Sequence, residues 1–172
     1  MSVSDTRLRR RCAKLLRQIN AGEPLDLDGL VARIAAWRGR EIILLPFNLP
    51  AGTPCGLWLS LNDKDVIFYD NNTSIFHQKH IIAHELGHIA FDHNKGENSA
   101  IDSQVASDLF PNFSSELIIK ALGRTHYSSE VEREAETFAT VAIQGSPRSD
   151  EKLKAGDAAT ERFTRAAEDG IL

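Results

Sequence analysis

Apolar positions near the amino terminus recur every three to four residues, at Leu8, Cys12, Leu15, Leu16 and Ile19, which predicts a helix over residues 5–21 that Gly22 and Pro24 end. A second helix is expected after Asp26, with Leu27, Leu30, Val31, Ile34 and Trp37 on one side and Gly39 as a left-handed cap. These two helices are expected to pack together. The texture then changes to EIILLPF, CGLWLS and DVIFYD, short aliphatic, β-branched and aromatic runs that read as three strands. NLPAGTP connects the first two, and LNDKD, with Asn62 and Asp63 tolerant of unusual dihedrals, makes a hairpin turn. From Ser74 the period is helical again: Phe76, Ile81, Ile82, Leu86 and Ile89 form an apolar side, while His80, His84 and His88 share another. Residues 93–128 are polar and irregular, an expected mobile stretch containing one helix at 114–122. Helices over 129–144 and about 150–168 complete the pattern. The fold class is therefore α+β, a small three-stranded antiparallel sheet with about five to six helices.

Composition bounds this picture. A chain of 172 residues with 42% hydrophobic and 26% charged side chains is long enough to bury one core. A single domain over residues 1–172 is expected, with a basic N-terminal helix (1–24), a core (25–145) and a C-terminal helix (146–172). No window approaches the roughly 18 continuous apolar residues that cross a bilayer, so no membrane partner is expected. The amino terminus lacks the apolar centre of a secretory signal, and Cys12 and Cys55 are isolated, which together predict reduced thiols and a cytoplasmic protein. The net charge is −4, with basic residues gathered at Arg7, Arg9, Arg10, Arg11, Lys14 and Arg17. Such a run is more often the solvated face of a helix than a nucleic-acid site, and the acidic balance argues against nucleic acid as the main partner.

The chemistry is concentrated in HIIAHELGHIAFDH, where His84, Glu85 and His88 form the H-E-x-x-H pattern. Two imidazoles one helical turn apart project side by side, and each nitrogen can approach a tetrahedral zinc ion to about 2.0–2.1 Å. Glu85 lies one residue round from His84, where a carboxylate can act as general base. The plain alternative is a chance pair of surface histidines, against which the apolar back of the helix argues. A catalytic zinc takes three protein ligands, so another must come from elsewhere in the chain. A third histidine six residues past His88 is absent, and His93 is one residue out of register. His77, His80, Asp92 and His93 read as polar surface residues, although His80 could stand over His84. The acidic helix offers Glu130, Glu132, Glu134 and Glu136, of which Glu132 and Glu136 share a face and suit a ligand and its supporter. The alternative is a solvated helix face.

At these residues the sequence resembles the ImmA/IrrE family of gluzincin-like metallopeptidases, in which an H-E-x-x-H helix is followed by a helix bearing E-x-x-A-[ND]-x-F-A. Here the second motif reads Glu132-Arg133-Glu134-Ala135-Glu136-Thr137-Phe138-Ala139. The resemblance extends over about residues 25–145 and implies a zincin-like core, zinc as cofactor and Glu132 as third ligand, with Glu134 as runner-up. Glu136 stands where the family has Asn or Asp, and its longer carboxylate would support a ligand histidine by bonding its other nitrogen. The aliphatic-Met-Pro ending usual after F-A is replaced by Thr140-Val141-Ala142-Ile143-Gln144. A donor to the transition state must face the metal, and His126 and Tyr127 are the candidates. The expected function is a zinc metallo-endopeptidase; the resemblance implies limited cleavage of a protein substrate, commonly a helix-turn-helix repressor. The alternative is a catalytically weak or inactive regulatory module of the same fold that binds a transcription regulator or a toxin-antitoxin-type partner.

Overall fold

The computed structural model describes residues 3–19, 21, 26–48, 54–60, 64–93 and 127–144. Among them the order is α1 (Val3–Gln18), α2 (Leu27–Arg38), β1 (Glu41–Phe47), β2 (Gly56–Ser60), β3 (Lys64–Asp70), α3 (Ile75–Phe91) and α4 (Ser129–Gln144). These four helices are fewer than the number expected; the helices read at 114–122 and 150–168 lie outside the described residues, as do residues 94–126 and the turn at Asn62 and Asp63.

Local chemistry accounts for the helix boundaries. The Asp26 side chain accepts from the Gly29 N–H at 2.8 Å and opens α2, and Gly39, at φ 70°, closes it in the left-handed conformation that glycine adopts without strain. Ser74 caps α3 by accepting from the His77 N–H at 3.2 Å, and Asp92, at φ 57°, ends it. An aspartate tolerates that conformation better than most residues with a side chain.

The sheet is mixed, which corrects the antiparallel expectation. Its order is β1-β3-β2: β2 pairs antiparallel with β3, but β1 pairs parallel with it, Ile43 opposite Val66 and Leu45 opposite Phe68. The chain crosses past the position of β3 before returning to fill it. Alternation of side chains fixes which residues share a face but carries no information on partner direction. The central place of β3 does have a local signature, since Asp65, Val66, Ile67, Phe68 and Tyr69 are all buried, the pattern of a strand covered on both faces. Pro46 sits on β1, an edge strand among the described residues, where its missing N–H is tolerated.

One face of the sheet, carrying Trp58, Ile67 and Tyr69, packs against Ile81, Ile82, Leu86 and Ile89 of α3 in a core shared with Cys12, Leu16, Leu30, Ile34 and Phe138. α3 contacts β2 and β3 and carries α4, while α1 packs mainly on α4 and α2 on α3 and β1. α1 and α2 meet in that shared core, through Leu16 and Leu30 among others, but the main partner of α1 is α4. Trp37 and Phe76, read as apolar-face residues, are instead exposed; both stand in terminal turns of their helices. Asp65 is wholly buried, yet it accepts from Trp58 Nε1 at 3.0 Å and from Arg38 Nε at 2.6 Å, which satisfies a carboxylate that would otherwise be costly to bury. No helix among the described residues is long and apolar enough to cross a membrane.

Candidate metal centre

Two small residues let α3 and α4 touch. A Cβ added at Gly87 would lie 3.0 Å from the Ala135 Cα, 3.1 Å from its carbonyl oxygen and 3.3 Å from the Phe138 Cβ. With only a hydrogen at 87 and a methyl at 135, the helix backbones come together there. Glu132, one turn before Ala135, is thereby brought to the histidines of α3.

His84 and His88 both turn Nε2 inward, 3.1 Å apart. Glu132 Oε2 lies 3.2 Å from His84 Nε2, and Glu132 Oε1 lies 3.8 Å from His88 Nε2. These three residues each offer a donor atom within 4.8 Å of the others. Bonds of about 2.0–2.1 Å in a tetrahedron put neighbouring donors about 3.3 Å apart. Two imidazoles and a carboxylate at this spacing are a fitting set for zinc. Burial, reinforced by the charges of His84 and His93, drives the His88 pKa far below its ordinary value, leaving a neutral imidazole with a lone pair to offer. Burial also opposes charge on His84, but the hydrogen bond to Glu132 and the charges of Glu85, Glu132 and Glu136 outweigh it and raise its pKa.

Glu85 is buried against the edge of β2. Its pKa is pushed up to about 7, chiefly by desolvation, with Glu132 adding to the rise while His84 and a hydrogen bond from the Trp58 backbone oppose it. The Cys55 carbonyl accepts from the Asp70 N–H at 2.9 Å, so Cys55 faces β3 and the alternate residues Gly56 and Trp58 present their backbone to the other side. A Cβ at Gly56 would come within 2.6 Å of Glu85 Oε1 and 2.7 Å of Ile81 Cγ2. Only glycine leaves the carboxylate its place. A cleft of about 370 Å³ opens here, lined by Gly56, Trp58, His84, Glu85, Tyr127 and Glu132 among others.

Around this group stands a second set of polar residues. Tyr127 stacks on His88, ring centroids 4.2 Å apart, and its phenol is held protonated by burial and by the charges of Glu85 and Glu132. Glu136 Oε2 is 3.0 Å from His80 Nε2 and 3.6 Å from His84 Nδ1, the second contact being longer than a hydrogen bond. Burial would raise the Glu136 pKa, but its contacts with His80 and His84 lower it overall. Glu134 turns away from the cleft to His93 Nε2 at 3.2 Å and to Arg11.

The structure therefore brings together His84, Glu85, His88 and Glu132, with Glu136 and Tyr127 beside them; His126 lies outside the described residues. His77, in the first turn of α3, is exposed. Three features were not read from the sequence: Gly56 against Glu85, Gly87 against Ala135, and the inward turn of the His93 side chain, which is largely covered although the residue is only half-buried. The glycine within H-E-L-G-H was a visible signal for the second, because glycine in a helix interior weakens it and calls for a packing reason. Residues 38–143, more than half of the chain, match the peptidase family described as the IrrE N-terminal-like domain. No curated protein and no solved structure matches.

Proposed function

The chain belongs to the peptidase family of the IrrE N-terminal-like domain, and from that premise we propose that it is a zinc-dependent endopeptidase making limited cleavages in a protein substrate. His84, His88 and Glu132 are the ligands, in a zincin-like core, and Glu85 is the general base. The observation that carries this reading is the spacing of three ligand atoms at 3.1, 3.2 and 3.8 Å beside a buried carboxylate.

Zinc bound there supplies Lewis acidity, polarising a peptide carbonyl and acidifying water. Glu85 accepts the proton of the attacking water and returns it to the leaving amine. In the metal-free site burial raises the Glu85 pKa to about 7, a shift in the direction that strengthens a carboxylate as a base. The Trp58 N–H and the bare Cα of Gly56 keep that carboxylate aimed into the cleft. Tyr127, protonated and at the cleft, donates to the oxyanion of the transition state. Glu136, bonded to His80, sets its negative charge 3.6 Å behind His84 Nδ1. A helix-turn-helix repressor is the substrate class the family resemblance favours, and the cytoplasm the compartment.

Glu85→Gln keeps the ligands and removes the base. Zinc content by mass spectrometry should stay at one per chain, while cleavage of an unstructured peptide library falls at least about 100-fold. Undiminished cleavage would sink the mechanism. Glu132→Ala should lose tight zinc binding; stoichiometric zinc in that variant would remove Glu132 from the ligand set. One observation favours a second reading, a catalytically weak module that holds a regulator: Glu136 reaches His84 only at 3.6 Å. A partner bound equally by wild type and Glu85→Gln, and cut by neither, would decide for it.

A further inference from the structure

The turn after α3 folds the chain back on the candidate metal centre. Asp92 is in the left-handed conformation, its N–H directed at the His88 and Ile89 carbonyls, and the His93 N–H bonds the His88 carbonyl at 3.0 Å. Arg38, already bound to the buried Asp65, also reaches Asp92 at 3.4 Å and ties this turn to the sheet. The His93 ring stacks on Phe91, centroids 5.6 Å apart and planes nearly parallel, and its side chain is only 7% exposed. Its Nδ1 lies 2.9 Å from His88 Nδ1, and its Nε2 lies 3.2 Å from Glu134 Oε2.

Those contacts admit one consistent assignment of protons. Two ring nitrogens 2.9 Å apart share one hydrogen, because two would collide and none would set lone pair against lone pair. His88 Nε2 faces His84 and Glu132, so as a ligand it must present a lone pair, and a neutral imidazole then carries its single N–H on Nδ1. His93 Nδ1 must accept that hydrogen. Its own N–H is then on Nε2, where Glu134 waits, and Glu134 is itself paired with Arg11 of α1. Every nitrogen and oxygen in the row has one role.

We infer that His93 is a positioning residue for the metal centre, holding His88 as its Nδ1–H tautomer with Nε2 turned into the ligand cluster, and that Glu134 and Arg11 hold His93 in turn. The inference rests on the reading of His84, His88 and Glu132 as ligands. It gives a task to the glutamate that competed with Glu132 for the third ligand position. It also makes α1, far from the site in sequence, a support of it.

The test is zinc affinity by chelator competition in wild type, His93→Phe, which fills the space but cannot accept, and His93→Asn, whose side-chain oxygen can. His93→Phe should bind zinc roughly 10–100-fold more weakly, the usual loss when such a supporting partner is removed, and His93→Asn should recover most of it. Equal affinity in wild type and His93→Phe overturns the inference while leaving the metal reading intact, and so does equal weakness of both variants, which would mean packing alone. Failure of the wild type to bind zinc overturns both together. Should His93→Phe fail to fold, nitrogen-15 NMR of the zinc-loaded wild type decides: a scalar coupling across the hydrogen bond from the His88 Nδ1–H to His93 Nδ1 supports the inference, and a His88 Nδ1–H that shows no such coupling and exchanges freely with water overturns it.

Discussion

At the scale of single residues, Glu85 has the most telling energetics, because the fold prefers it neutral. In the metal-free protein its pKa of about 7 exceeds the reference 4.5. The stability this preference contributes is fully present below about pH 4.5 and is lost as pH rises through about 7. Glu85→Gln keeps the neutral shape at every pH. In chelator, the variant should match wild type near pH 4.5 and exceed it by up to about 3 kcal/mol above pH 8, as read by urea unfolding, because each tenfold change in proton affinity is worth about 1.36 kcal/mol. A difference independent of pH would show that burial does not raise the Glu85 pKa. His88 works in the opposite sense: its lowered pKa gives stability that is present above about pH 6.5 and lost as the solution is acidified. The motif residues themselves were plain in the sequence, since one helical turn places His84 and His88 together in any helix. The neighbours that tune them were not, because Gly56, Trp58 and His93 meet them only through the fold.

At the scale of elements, the crossing of α3 and α4 decides whether Glu132 reaches the histidines. Gly87→Ala adds a methyl 3.0 Å from the Ala135 Cα. Alanine would bring about 1 kcal/mol of helix propensity, but overpacking against backbone costs about 1–3 kcal/mol. The expected outcome is a net loss of stability in urea together with weaker zinc binding; a variant more stable than wild type with unchanged zinc affinity would show that this contact does not set the crossing. A second prediction belongs to the junction of sheet and helices. Asp65→Ala leaves the mostly buried Arg38 guanidinium with only its longer contact to Asp92 and the Trp58 N–H without its acceptor, so unfolding free energy should fall by about 3–5 kcal/mol. A loss under about 1 kcal/mol would mean that water replaces the carboxylate. Helix and strand positions were legible because each rests on local periodicity and capping; α4 matches its expected span of 129–144. The direction of β1 was not, since it depends on a partner.

Over the whole molecule, α1 is fastened to α4 by Cys12 and Leu16 in the shared core, while Arg9 to Gln144, Arg11 to Glu134, and Arg133 to Asp5 and Ser4 rim the contact. Exposed pairs of this kind contribute little individually, so the apolar contacts carry the docking. Part of the basic face read along α1 is thus spent inside the molecule. A metal held by His84, His88 and Glu132 would join α3 to α4 across the same body. Zinc at 100 times its Kd should stabilise the native state by about 2.7 kcal/mol, a rise in Tm of roughly 5–10 °C, and Glu132→Ala should abolish most of it. An unchanged Tm at that ratio counts against a site formed in the native state.

The sequence by itself determined the four described helices, the three strands and the pair His84 and His88 with Glu85 between them, because period, caps and the reach of one helical turn are all local. Tertiary structure alone decided that Glu132 faces the histidines while Glu134 faces His93, that β1 runs parallel to β3, and that a bare Cα at Gly56 makes room for Glu85. Residues two apart on a helix point in different directions, and which direction meets a neighbour depends on where that helix crosses. That crossing is set by Gly87 and Ala135, which local periodicity cannot pair.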